Sequence, residues 1–280
     1  LFDKPPWALP QNPLQAKARL GLIEIGIVLG VLNLLFAAFV LIQIRYLFGG
    51  ETQLNLAAGL TYAEYARKGF FELVTVAALT LPTLLLAHWL LNPEAGRSLR
   101  VFQGLAGGLI VLLSVVMVSA LQRMRLYQQE YGLTEQRLYT TAFMGWLALV
   151  FVWFGATVLR NRRPPFVAGA AGLGLGVLLL LNVLNPDALI VSTNAGRVAI
   201  RPFDSRYATS LSADAVPALI AALPTMGTEE RCVTAADLLN DWGKPETADW
   251  RTWNWSRTQA RSTVEVNRAY LEENACFQGR

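Results

Sequence analysis

The chain has 280 residues, 54% of them hydrophobic and only 16% charged, and carries a net charge of +4. A water-soluble domain is about one quarter charged, so the composition excludes one soluble globule and makes lipid the expected solvent for much of the chain. Nucleic acid is excluded as a partner too, because the excess Arg and Lys sit mainly at the ends of apolar runs, where cations face lipid phosphates.

The chain opens on Leu1-Phe-Asp-Lys-Pro-Pro-Trp7, with no initiator Met and no signal-peptide pattern, and reads as a processed product or a fragment. Residues 1–20 form an interfacial segment. Five apolar runs follow, near 21–44, 70–91, 102–121, 140–160 and 165–184. Each has the roughly 20 residues that a helix needs to cross hydrocarbon. Backbone groups must be satisfied inside lipid, so these runs are helices and the fold class is all-α, a polytopic membrane helix bundle over 21–186. Pro82 lies inside the second run and predicts a kink there.

Three spans carry GxxxG spacing, at Gly26/Gly30, Gly104/Gly108 and Gly172/Gly176. Such pairs let a second backbone approach closely, either within the bundle, which is the first expectation, or between copies. On the N-terminal side of the spans stand eight cations: Lys4, Lys17, Arg19, Arg97, Arg100, Arg160, Arg162 and Arg163. The opposite loops hold six: Arg45, Arg67, Lys68, Arg123, Arg125 and Arg137. That difference predicts a cytoplasmic N-terminus and an extracytoplasmic C-terminal domain, although Arg197 and Arg201 would level it.

Two segments on the same side of the membrane concentrate polar and aromatic residues, the loops 61–72 and 127–139. They bring forward Tyr62, Glu64, Tyr65, Arg67, Glu130, Tyr131, Arg137 and Tyr139 as candidate binding residues. Paired Glu and Arg suit a ligand site or a docking surface. Structural roles account for the same residues: Thr61 and Glu64 have capping-box spacing, Glu64 precedes Arg67 and Lys68 by three and four residues, and Thr134 suits the cap of the fourth span. Tyrosines at this depth are an expected interfacial belt. Glu24 and Glu72 lie near opposite membrane faces, close enough to headgroups to be hydrated, so no proton relay is expected.

His88, beside Trp89, is the one histidine. It cannot supply bis-His haem ligation, and packing at the interface is expected ahead of pigment ligation. The chain contains no GxSxG, HExxH or phosphate loop, and no catalytic residue, metal or cofactor is expected.

Residues 187–280 have the composition of a small, mostly helical soluble domain. Ser212 or Asp214 reads as a helix cap before Pro217, a second helix covers 229–241, and a third starts at Ser256 and runs through Tyr270. Trp242, Trp250, Trp253 and Trp255 form an aromatic cluster. Its first reading is core bulk for a small domain; its second is docking to a partner or a membrane surface. Cys232 and Cys276 are a disulfide in an oxidising compartment or two buried thiols otherwise.

The runs FAAFVLIQIRYLFGG (36–50), TYAEYARKGFFEL (61–73), RLYQQEYGLTEQRLY (125–139), LNPDALIVSTNAGR (184–197) and LSADAVPAL (211–219), taken in order, resemble a family of bacterial polytopic membrane proteins catalogued only as a domain of unknown function. The resemblance covers most of the chain. It implies a multi-pass protein of the bacterial inner membrane, often with further helices upstream, and brings no activity, substrate or site residue. The expected role is a non-enzymatic accessory subunit that meets lipid and a membrane-protein partner or a second copy. A transporter or membrane enzyme built on Glu64, Arg67, Glu130 and Arg137 is the alternative, and a ligand sensor the third.

Overall fold

The computed structural model describes residues 21–48, 62–90, 96–160, 166–198, 202–244 and 253–276. They form helices, with no strand among them: α1 Leu22–Phe48, α2 Tyr62–Leu90, α3 Gly96–Tyr131, α4 Glu135–Thr157, α5 Phe166–Leu184, α6 Pro186–Ala195, α7 Ser205–Thr209, α8 Val216–Ala222, α9 Thr228–Trp242, α10 Trp255–Val266 and α11 Arg268–Asn274. Short 3-10 turns at Ala213–Ala215 and Leu223–Thr225 flank α8. The chain divides into two compact units, Leu1–Tyr127 with Phe143–Gly174, and Gln128–Ala142 with Leu175–Arg280.

The first five helices are each long and apolar enough to cross a membrane. The protein is an all-α, multi-pass membrane helix bundle with further helices at its C-terminal end. Two expected boundaries move. The third helix has 36 residues, about 54 Å at 1.5 Å per residue, well beyond the expected 102–121. Nothing in Leu121–Tyr131 stops it: Gln, Arg, Met, Leu and Glu propagate helix well, and the first breaker is Gly132. The segment 61–72 is likewise helical from Tyr62, so both expected loops are largely helix ends. Helix α2 continues through Pro82.

In the first unit the core is apolar, with Leu29, Leu73, Leu84, Phe102, Leu109, Leu113, Met144 and Phe154 fully buried. Polar side chains tie helices across it. Asn33 Nδ2 donates to Leu29 O (2.7 Å) in its own helix and to Leu105 O (3.0 Å) in α3. Gly108 makes room for it, since a Cβ there would stand 2.8 Å from Asn33 Oδ1. Gln103 Nε2 donates to Leu159 O (2.6 Å), and Trp146 Nε1 to Ala170 O (3.1 Å). Trp153 and Trp146 lie against Gly169 and Gly174 of α5.

These contacts correct the packing expectation for GxxxG. A Cβ at Gly26, Gly30, Gly104, Gly172 or Gly176 would meet nothing within 4 Å among the described residues; of the six glycines only Gly108 packs closely. Arg123 is also not a loop cation. It is buried in α3, lies across Gly69, and pairs with Glu72 at 3.6 Å, so Glu72 gains a partner that spacing along the chain did not suggest. His88 packs on Phe102, ring centroids 5.5 Å apart.

The second unit has its own core of Val191, Phe203, Ala215, Val216, Leu219, Leu223, Ala235, Leu238, Ala260, Val264 and Leu271. Asn185, at φ 49°, turns the chain from α5 into α6 and caps the latter by accepting from Ala188 N (3.2 Å). Ser212 caps the turn before α8, accepting from Asp214 N (3.3 Å), and the second helix begins at Thr228. The expected third helix starts one residue earlier, at Trp255 with Asn254 as cap, and breaks at Asn267 into α10 and α11. Cys232 and Cys276 are joined as a disulfide, Cα atoms 5.1 Å apart. Closing a loop of this length restricts the unfolded chain by about 4 kcal/mol on the chain-entropy account.

The tryptophans divide. Trp242 packs half-buried against the core, whereas Trp253 and Trp255 are 66% and 68% exposed, so aromatic bulk is not what fills this core. The sixteen buried residues are mostly small and aliphatic, with Phe203 the one aromatic. Trp250 lies outside the described residues.

Candidate functional site

The second unit contains the turn between α3 and α4, and three of the sequence runs singled out above interlock around it. A helix of 36 residues ends at Tyr131, which leaves its last carbonyls without intrahelical partners. Gly132, at φ 80°, takes the left-handed cap conformation that non-glycine residues disfavour, and its N–H donates to Gln128 O (2.9 Å). Two arginines add further bonds to carbonyls at this helix end. Arg197 gives Nη1 to Gln128 O (2.9 Å) and Nη2 to Gln129 O. Arg137 gives Nη1 to Tyr131 O (2.9 Å) and Gly132 O (2.6 Å), with its guanidinium 5.8 Å from the Tyr131 ring centroid. Cations at a helix C-terminus also oppose the macrodipole.

The turn is then held by side chains far along the chain. Asn194 makes both hydrogen bonds of the Leu133 backbone, accepting from its N–H (2.8 Å) and donating to its carbonyl (2.8 Å). Its amide thus replaces a neighbouring strand for one residue. The close fit needs Gly132, where a Cβ would stand 2.8 Å from Asn194 Oδ1. The first free N–H of α4, at Glu135, donates to the Tyr207 hydroxyl (2.9 Å). Thr134 takes the cap position, its carbonyl accepting from Leu138 N (2.9 Å). Burial raises the Tyr207 phenol above its ordinary pKa; the Glu135 N–H works against this and the Glu135 carboxylate adds to it.

The LNPDALIVSTNAGR run is anchored at its other end as well. Asp187, buried, accepts from Ser212 N (3.1 Å) and from the Ser212 hydroxyl. Asn185 Nδ2 reaches Asp214 O (3.5 Å). Asp187 therefore fixes the LSADAVPAL run while Asn194 and Arg197 fix the RLYQQEYGLTEQRLY run. Beside this joint lies a cavity of about 190 Å3 lined by Glu130, Tyr131, Gly132, Asn194, Arg197, Pro202, Phe203 and Asp204.

Of the candidate residues named from sequence, the structure brings Tyr131 and Arg137 together, and Glu130 and Tyr131 line the cavity. Tyr139 is 47% exposed on α4, and Arg67 is exposed on α2. Tyr62, Glu64 and Tyr65 belong to the first turns of α2, and their side chains, like Thr61, lie outside the described residues. Sequence reasoning missed Asn194, Arg197, Tyr207 and Asp187. One signal pointed that way: the Asn-Pro-Asp and Asn-Ala-Gly-Arg ends of one run carry the residue types that satisfy free backbone groups.

No curated protein and no solved structure matches the chain. A family model described as "Domain of unknown function (DUF4153)" matches residues 3–222, from before α1 to the end of α8, and includes all three interlocked runs. The chain is a multi-pass membrane protein of the DUF4153 family, a family of unknown function.

Proposed function

We propose that this protein is a non-enzymatic accessory subunit that docks a membrane partner through its C-terminal unit. The observation that carries the reading is the pair Trp253 and Trp255, 66% and 68% exposed on a domain whose core needs neither. Large exposed aromatics are the residue type that partner surfaces bury first. Tyr131, at the end of α3 in the same unit, is also 50% exposed.

The protein belongs, on this reading, to the bacterial cytoplasmic membrane with its C-terminal domain, residues 187–280, outside the cytoplasm. The Cys232–Cys276 disulfide supports that side, because such bonds persist in oxidising compartments. It is an argument independent of the count of cations. The alternative, a charged site of Glu64, Arg67, Glu130 and Arg137, draws less support, since the Arg137 guanidinium is engaged with two backbone carbonyls. A sensor reading is favoured by the cavity at the α3–α4 turn, but its volume of about 190 Å3 is below the roughly 300–1,000 Å3 of ordinary ligand sites.

The test is purification from native membranes in mild detergent. A stoichiometric membrane partner is expected to accompany the wild-type chain and to be lost from the doubly substituted Trp253→Ala, Trp255→Ala protein. A chain that elutes as a lone monomer, or a partner retained by the double variant, overturns the docking surface.

A further inference from the structure

We propose that the Cys232–Cys276 disulfide is a redox-operated latch on the last helix, which stays on α9 while the bond is closed and comes away when a dithiol opens it. Three observations carry this. First, α11 has seven residues, too short to hold helical form by itself, and Leu271 is its one fully buried side chain, with Tyr270 and Ala275 half-buried beside it. Its neighbour α10 is anchored by two completely buried residues, Ala260 and Val264. Second, the ion pairs of α11 are local. Arg268 meets Glu265 at 2.8 Å and Glu272 at 3.6 Å, three and four residues away, and both pairs are exposed. One bond of Arg268 reaches outward, from Nη2 to Gly243 O (2.7 Å). Third, the two cysteines differ in exposure. Cys276 is exposed at the end of the described chain, whereas Cys232 is 7% exposed on α9.

The chemistry follows from that asymmetry. A thiolate of an external dithiol attacks Sγ of Cys276, and the sulfur–sulfur bond breaks with its electron pair leaving on Sγ of Cys232. The second thiol of the reagent then attacks its own sulfur in the mixed disulfide and releases Cys276. The dithiol ends as a disulfide, and its two protons and two electrons end on the two cysteine thiols. Buried Cys232 serves as leaving group and exposed Cys276 as point of attack. What opens is the segment after Val266, while the core of α6, α8 and α9 keeps its contacts.

The experiment uses the full chain in detergent micelles, purified without reductant and with free thiols alkylated at lysis. It is treated with dithiothreitol or left untreated, then cleaved briefly with trypsin and read by mass spectrometry. The latch predicts at least tenfold faster cleavage after Arg268 on reduction, with cleavage after Arg206 in α7 changed less than twofold. Cys276→Ser, which alters an exposed position, should reproduce the fast cleavage without dithiothreitol. Three results overturn it: both cysteines alkylated at lysis, cleavage after Arg268 unchanged although both thiols have been released, or acceleration at Arg206 equal to that at Arg268, which would make the bond a staple of the whole domain.

Discussion

In the unit of Leu1–Tyr127 and Phe143–Gly174, three polar links each run from one side chain to one distant carbonyl, Asn33 to Leu105, Gln103 to Leu159 and Trp146 to Ala170, beside the Arg123–Glu72 ion pair. In the unit of Gln128–Ala142 and Leu175–Arg280 the links at the end of α3 come in pairs, with Asn194 making both bonds of Leu133 and Arg197 and Arg137 each spanning two carbonyls. The contrast reflects what each backbone leaves unsatisfied. Within a spanning helix every interior N–H and C=O already has a partner, so a side chain can only add to the ladder. At a helix end those groups are free, and a side chain that reaches them removes a desolvation cost. The arginines show the same division. Arg137, Arg197, Arg231 and Arg268 of the second unit all donate to backbone carbonyls at helix ends, whereas Arg123 of the first is buried against a carboxylate. These four arginines of the second unit are therefore structural.

Substitutions can break or sharpen this contrast, and the largest effect belongs to the core of the second unit. Leu223→Ala, at a fully buried position, is expected to cost about 3 kcal/mol in chemical denaturation of the detergent-solubilised protein. Leu179→Ala on α5, where the side chain is 68% exposed, should change stability by less than about 0.5 kcal/mol. Equal losses would mean that α5 is packed where the structure leaves it open. Next comes the paired amide. Asn194→Ala strips the buried Leu133 of both partners and is expected to cost about 2 kcal/mol, while Asn194→Asp, which keeps the acceptor, should recover part of the loss. Gly132→Ala should cost about 1–2 kcal/mol, from the left-handed backbone and the approach to Asn194 Oδ1. A loss below about 0.3 kcal/mol there would show that the cap relaxes freely.

The smallest effect concerns pH. The Tyr207 phenol is raised above its ordinary value of about 10, chiefly by burial. A raised acid favours the neutral form in the folded state, so its contribution is fully present below about pH 10 and is lost as pH climbs through the raised value. Denaturation midpoints of wild type and Tyr207→Phe should converge in strong alkali; parallel curves across that window would show that Tyr207 does not titrate with folding.

The spans were legible in the sequence because their signal is local: apolar length alone puts four of the five candidate spans near 21–44, 70–91, 140–160 and 165–184. The third was underestimated because apolarity marks where lipid ends, not where helix ends. Leu121–Tyr131 leaves the hydrocarbon pattern yet keeps good helix formers as far as Gly132. Arg137 was legible as a candidate but not in its role. Whether an arginine meets a ligand or a carbonyl depends on a turn that begins five residues before it. Asn194 was illegible for a stronger reason, since its partner Leu133 is 61 residues away.

By itself the sequence determined which five segments are long and apolar enough to cross a membrane, and the family of the chain, because hydropathy and ordered motifs are properties of neighbouring residues. Tertiary structure alone decided which polar groups meet: Glu72 with Arg123, Asp187 with Ser212, Asn194 with Leu133, Cys232 with Cys276. It also decided that Trp242 enters the core while Trp253 and Trp255 stay outside it. Those outcomes depend on how separate helices come to rest against one another, and a free backbone group or an exposed ring is defined only once they have.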